Sequence, residues 1–68
     1  MVNELKQEIK ELLSRMKRKE LFNVDVDEDS VDIGFWHDNR RREITIDILG
    51  KTRYQLLSEI EFKINLIN

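Results

Sequence analysis

Apolar and polar residues alternate between Val31 and Leu49: Val31, Ile33 and Phe35 lead into His37-Asp38-Asn39-Arg40, and Ile44, Ile46 and Ile48 lead away from it. A period of two on both sides of a polar turn predicts an antiparallel hairpin with one apolar face. The opposite face then carries Asp32, Gly34, Trp36, Glu43, Thr45 and Asp47. Upstream, Phe22, Val24 and Val26 alternate with Asn23, Asp25 and Asp27 and predict a further strand. Asp27-Glu28-Asp29-Ser30 joins it to the hairpin as a turn of side chains that bond readily to local backbone. Pairing Val26 with Val31 and Val24 with Ile33 keeps all apolar residues on one side, so the three strands form a meander.

Helical periodicity flanks the strands. Leu5, Ile9, Leu12, Leu13 and Met16 fall at i, i+4, i+7, i+8 and i+11, which predicts one amphipathic helix over residues 4–20 with Asn3 as its cap. Glu4 and Glu8 near its start and Arg15, Lys17, Arg18 and Lys19 near its end suit the helix dipole. After the third strand Gly50 permits a turn, and Thr52 with Gln55 three residues later forms a capping box. The helix it opens has the stripe Leu56, Leu57, Ile60, Ile64 and Ile67. Ile60, Phe62, Ile64 and Leu66 also alternate strictly, so a fourth strand after a shorter helix is the competing expectation for residues 60–67. The expected fold is α+β: a single domain over residues 1–68 of order α-β-β-β-α, a three-stranded antiparallel meander with both helices packed on one face.

Length and charge narrow the function classes. Sixty-eight residues bury only roughly 60% of the unfolded surface, which makes self-association a natural supplement to stability. The chain is 40% hydrophobic and 38% charged with a formal net charge of −2, too apolar and too patterned for disorder. Cysteine is absent, which removes thiolate and disulfide chemistry. No apolar run approaches the roughly 20 residues of a membrane span, and the first residues lack a basic start followed by an apolar core. A cytoplasmic protein is expected. Alanine and proline are absent while isoleucine, lysine and asparagine are plentiful, a usage that fits an AT-rich bacterial or phage genome.

Three local patterns touch on chemistry. Asp25-x-Asp27-x-Asp29 matches the first ligand positions of an EF-hand, but Ser30 stands where glycine is required and Trp36 where the bidentate glutamate belongs. Gly50-Lys51-Thr52 matches the end of a phosphate-binding loop, but Thr45 replaces its first glycine, and helix capping accounts for Thr52. His37 is the sole histidine and sits at a hairpin turn without a nucleophile in view. No catalytic residue, metal or cofactor is expected, and the chain reads as a non-enzymatic protein.

Length and element order resemble the double-stranded RNA-binding domain, which reads duplex RNA through its first helix, the loop between its first two strands and a lysine-rich start to its second helix. Here the matching loop is the acidic Asp27-Glu28-Asp29-Ser30, and the second helix retains Lys51 and Arg53. The resemblance implies a nucleic-acid-binding regulator that would use Lys17, Arg18, Lys19, Arg40, Arg41, Arg42, Lys51 and Arg53. The preferred expectation is different. Alternation places Asp25, Asp27, Asp32, Glu43 and Asp47 on the face opposite the helices, together with Trp36, and like charges on neighbouring strands are destabilising. Such a face is expected to bind a basic surface on another protein, in the manner of a nucleic-acid mimic; the competing expectation is a merely solvated face on which Trp36 covers Gly34 and stacks on Arg41. Size and acidity are similar to those of small phage-encoded inhibitors of host defence, some anti-CRISPR proteins among them. Phe62 and Leu66 fall outside the core stripe of the second helix and are expected to make a helix-to-helix homodimer contact.

Overall fold

The computed structural model describes residues 2–67. Helix α1 (Val2–Ser14) leads into strands β1 (Lys19–Val26), β2 (Ser30–His37) and β3 (Arg40–Asp47), and helix α2 (Arg53–Asn65) follows. The sheet order is β1-β2-β3 with both pairs antiparallel. Val24 pairs with Ile33 and Val26 with Val31, as the alternation requires. Leu5, Ile9 and Leu13 of α1, Val31, Ile33, Phe35 and Ile46 of the sheet, and Leu56, Ile60 and Ile64 of α2 form the core. Helix α1 lies over β1 and α2 over β3, on the same side of the sheet.

α1 is shorter than its expected span of residues 4–20. It ends at Ser14, where Ser14 Oγ donates to the Glu11 carbonyl at 2.7 Å and the chain tightens through Arg15 N–H to Leu12 O and Met16 N–H to Leu13 O. Met16 is the last apolar residue of the stripe, so a further helical turn through Lys17, Arg18 and Lys19 would bury nothing. Arg18 instead takes a left-handed φ of 66°, and Lys19 pairs with His37 as the first residue of β1. The basic cluster therefore belongs to the connection and the strand, and does not sit on a helix end. Asn3 likewise lies inside α1 and is not its cap.

In β1 the register shifts between Leu21 and Asn23. Leu21 and Phe22 are adjacent, and only one of them can face the core in a regular strand. Leu21 takes that side and packs on the core, which leaves Phe22 on the opposite face, 39% exposed, and the bulge then returns Val24 to the core side. The expected alignment of Phe22 with Val24 and Val26 is thus corrected. The β2–β3 turn is closed by Asp38 and Asn39, both with positive φ (50° and 66°), the conformation that matches strand twist in two-residue hairpins. Gly50 at φ 78° turns the chain towards α2.

The capping box forms as expected: Gln55 N–H donates to Thr52 Oγ1 at 3.1 Å, and Thr52 N–H donates to Gln55 Oε1 at 2.9 Å. α2 continues to Asn65, so the alternation from Ile60 to Leu66 is carried by a helix with apolar residues on two faces. Leu56, Ile60 and Ile64 are buried, and Leu57 and Ile67 pack at their margin. Arg53 joins the two helices through Glu4 at 2.9 Å and Glu8 at 3.0 Å.

Candidate functional site

Register across the three strands arranges the face opposite the helices into rows. Glu20, Trp36 and Arg41 form one, Asn23, Gly34 and Glu43 the next, and Asp25, Asp32 and Thr45 the third, with Asp47 paired to Ser30 beyond them. Asp25 stands directly opposite Asp32. Carboxylate oxygens of Asp25, Asp27 and Asp32 lie within 4.8 Å of one another. Thr45 Oγ1 donates to Asp32 Oδ1 at 2.6 Å and fixes that carboxylate over the sheet. The EF-hand spacing had pointed to Asp29 as the third member; strand pairing brings in Asp32. A depression of about 270 Å³, lined by Asn23, Asp25, Asp32, Glu43 and Thr45 beside the backbone of Gly34, opens between these side chains.

Above it sits an aromatic pair. The rings of Phe22 and Trp36 have centroids 5.5 Å apart, tilted by 48°, and Trp36 is 41% exposed. Phe22 covers Gly34 so closely that a Cβ there would meet its ring at 2.6 Å. The Arg41 guanidinium lies 4.8 Å from the centre of the Phe22 ring, and its Nη2 donates to Glu43 Oε1 at 3.3 Å. The roles expected of Trp36, covering the glycine and stacking on arginine, both fall to Phe22. Sequence reasoning missed Phe22 because it kept strict alternation through a bulge; the adjacent Leu21-Phe22 pair, of which only one can face the core, was the available signal.

Strand pairing also gathers basic residues. Lys19, His37 and Arg40 lie in one row, and Arg18 Nη1 reaches Asp38 Oδ2 at 3.8 Å, so Lys17, Arg18 and Lys19 meet Arg40 at one end of the sheet. Arg41 belongs to the open face, whereas Arg42 pairs with Phe35 on the helix side, with its Nε shielded and without a hydrogen-bond partner. Lys51 and Arg53 are at the opposite end and already engaged: Lys51 with Glu59 at 2.7 Å, Arg53 with Glu4 and Glu8. The eight basic residues therefore do not share a surface. Hydrogen bonding from Lys51 holds the Glu59 carboxyl below its ordinary pKa; desolvation opposes the shift, and the charges of Lys51 and Lys63 add to it.

His37 is buried, with Lys19 Nζ 3.1 Å from its Nδ1 and Asp38 Oδ2 3.7 Å from its Nε2. Phe62 on α2 and Leu66 at its C-cap are 64% and 65% exposed, outside the buried stripe, and Tyr54 is exposed on the same helix. No helix among the described residues is long and apolar enough to cross a membrane. No protein-family model, curated protein or solved structure matches this chain.

Proposed function

We propose that the chain is a small non-enzymatic binding domain whose acidic sheet face engages a basic surface of another protein. The observation that carries this reading is the placement of Asp25 directly opposite Asp32 with Asp27 beside them. Like charges in cross-strand positions cost stability, and a cationic side chain from a partner would remove that cost on binding. The depression between Asp25, Asp32, Glu43 and Thr45 has room for such a side chain, with the three carboxylates as acceptors. Arg41 supports the same chemistry from within the chain, since its guanidinium lies on Phe22 and bonds to Glu43. Trp36, exposed at the rim, supplies the aromatic anchor that binding surfaces favour.

The partner we infer is a nucleic-acid-binding protein whose basic groove this face occupies by imitating the phosphates of nucleic acid, and an inhibitory or regulatory role in phage–host conflict fits the size and charge. Trp36 is the only tryptophan and reports directly on the face. Titration with an arginine-rich peptide is expected to shift its fluorescence in a salt-sensitive manner, and Asp25→Lys with Asp47→Lys to abolish the response while circular dichroism stays unchanged. An undiminished response in the double variant removes the proposal.

A second reading, a nucleic-acid-binding regulator, draws on the convergence of Lys17, Arg18 and Lys19 with Arg40 at one end of the sheet. It requires a gel shift with DNA or RNA that weakens with salt and vanishes when Arg40, Arg41 and Arg42 become alanine. The acidic Asp27-Glu28-Asp29 turn and the engaged Lys51 and Arg53 count against the duplex-RNA geometry of the resembling family.

A further inference from the structure

A three-stranded sheet has two free edges, and this one treats them differently. On β1 the bulge at Phe22 breaks the regular row of donors and acceptors, and Lys6, Gln7 and Lys10 of α1 stand along the groove beside it. Both features obstruct pairing with another strand. β3 has neither: its eight residues pair with β2 without a shift.

The backbone parity of β3 follows from its turn. In a two-residue hairpin the residues flanking the loop, His37 and Arg40, exchange backbone hydrogen bonds, so even-numbered residues of β3 face β2. Ile48 N–H, donating to Asp29 O at 2.9 Å, keeps the same parity. Arg41, Glu43, Thr45 and Asp47 therefore direct their N–H and C=O groups outward.

We infer that this edge is a self-association surface, pairing antiparallel with β3 of a second copy about a two-fold axis at Ile44. Charge selects that register. Centred on Ile44, Arg41 stands opposite the second copy's Asp47 twice over, Glu43 opposite Thr45, and Arg42 opposite Ile46. Centring on Glu43 places that residue on its own copy, centring on Thr45 opposes Glu43 to Asp47, and centring on Arg42 opposes two arginines. The favoured register has no like-charged pair and uses all four outward residues, giving about eight backbone hydrogen bonds at two per bonded pair. It also covers Ile44 and Ile48, which are only partly buried in the single chain. The product is a continuous six-stranded sheet with the two acidic faces side by side, which presents a basic partner with two sites at once.

The outer side of α2, with Tyr54, Phe62 and Leu66, is the competing surface; nothing in its charge pattern sets a register. Sedimentation of the wild type at high micromolar concentration is expected to show a dimer. Asp47→Arg, which creates two arginine pairs across the axis, should weaken it roughly tenfold, and Arg41→Asp with Asp47→Arg should restore it. Amide exchange on the unmodified protein gives an independent reading: the N–H groups of Glu43 and Thr45 gain protection as concentration rises. A monomeric wild type overturns the inference. So does a dimer in which these two amides exchange freely, or one that Phe62→Glu/Leu66→Glu dissociates and Asp47→Arg leaves intact.

Discussion

Replacing Asp25 by asparagine removes one charge from the acidic cluster at nearly constant side-chain size, and the geometry sets the sign of the effect. Asp25 faces Asp32 across the β1–β2 pair and has Asp27 beside it, all within 4.8 Å. Two unit charges at this separation repel by about 0.9 kcal/mol in water, and Asp25 has two such neighbours. Screening over a Debye length of about 10 Å at 0.1 M salt, and the freedom of exposed carboxylates to rotate apart, reduce the sum to about 0.5–1 kcal/mol. Asp25→Asn is therefore expected to stabilise the fold by that amount, equivalent to about 2–8 °C in Tm for a domain of this size. Thermal melts followed by circular dichroism measure it directly. The gain should shrink in about 1 M salt, where the Debye length falls to about 3 Å. The same variant should respond more weakly to an arginine-rich peptide, so that stability and binding move in opposite directions. A variant no more stable than wild type at low salt refutes the reasoning, because the carboxylates would then carry no cost for a partner to relieve.

Gly34→Ala brings a Cβ to within 2.6 Å of the Phe22 ring. Because that ring is the far end of a mobile side chain, the fold should persist while Phe22 swings away and the fluorescence of Trp36 changes; an unchanged spectrum would contradict the packing described. Thr52→Ala deletes the acceptor for Gln55 N–H and should cost about 1 kcal/mol in urea denaturation, the usual value of an N-cap side chain. Glu59 has its pKa lowered in the folded chain, so its bond from Lys51 contributes fully at neutral pH and is lost as acidification passes the ordinary carboxylate range and then the lower folded value. Glu59→Gln should therefore flatten part of the acid limb of stability against pH, and an unaltered limb would count against the pairing.

Periodicity by itself determined the order of elements, the pairing of Val24 with Ile33 and Val26 with Val31, the capping box at Thr52 and Gln55, and the acidic composition of the outer face, because each rests on neighbours in sequence or on the two-residue repeat of a strand. The tertiary structure alone decided the rest. Whether α1 continued past Ser14 depended on what its next turn could bury, and pairing of Lys19 with His37 won there. Residues 60–65 satisfy both periods, and the choice of helix came from burying Ile60 and Ile64 beneath α2. Leu21 and Phe22 competed for one core position, Leu21 took it together with Val24 by way of the bulge, and the pairing of β1 with β2 set the Phe22 ring over Gly34, twelve residues away. The acidic cluster has the same origin: Asp25 and Asp27 are close along the chain, but Asp32 joins them only because strand register sets it opposite Asp25.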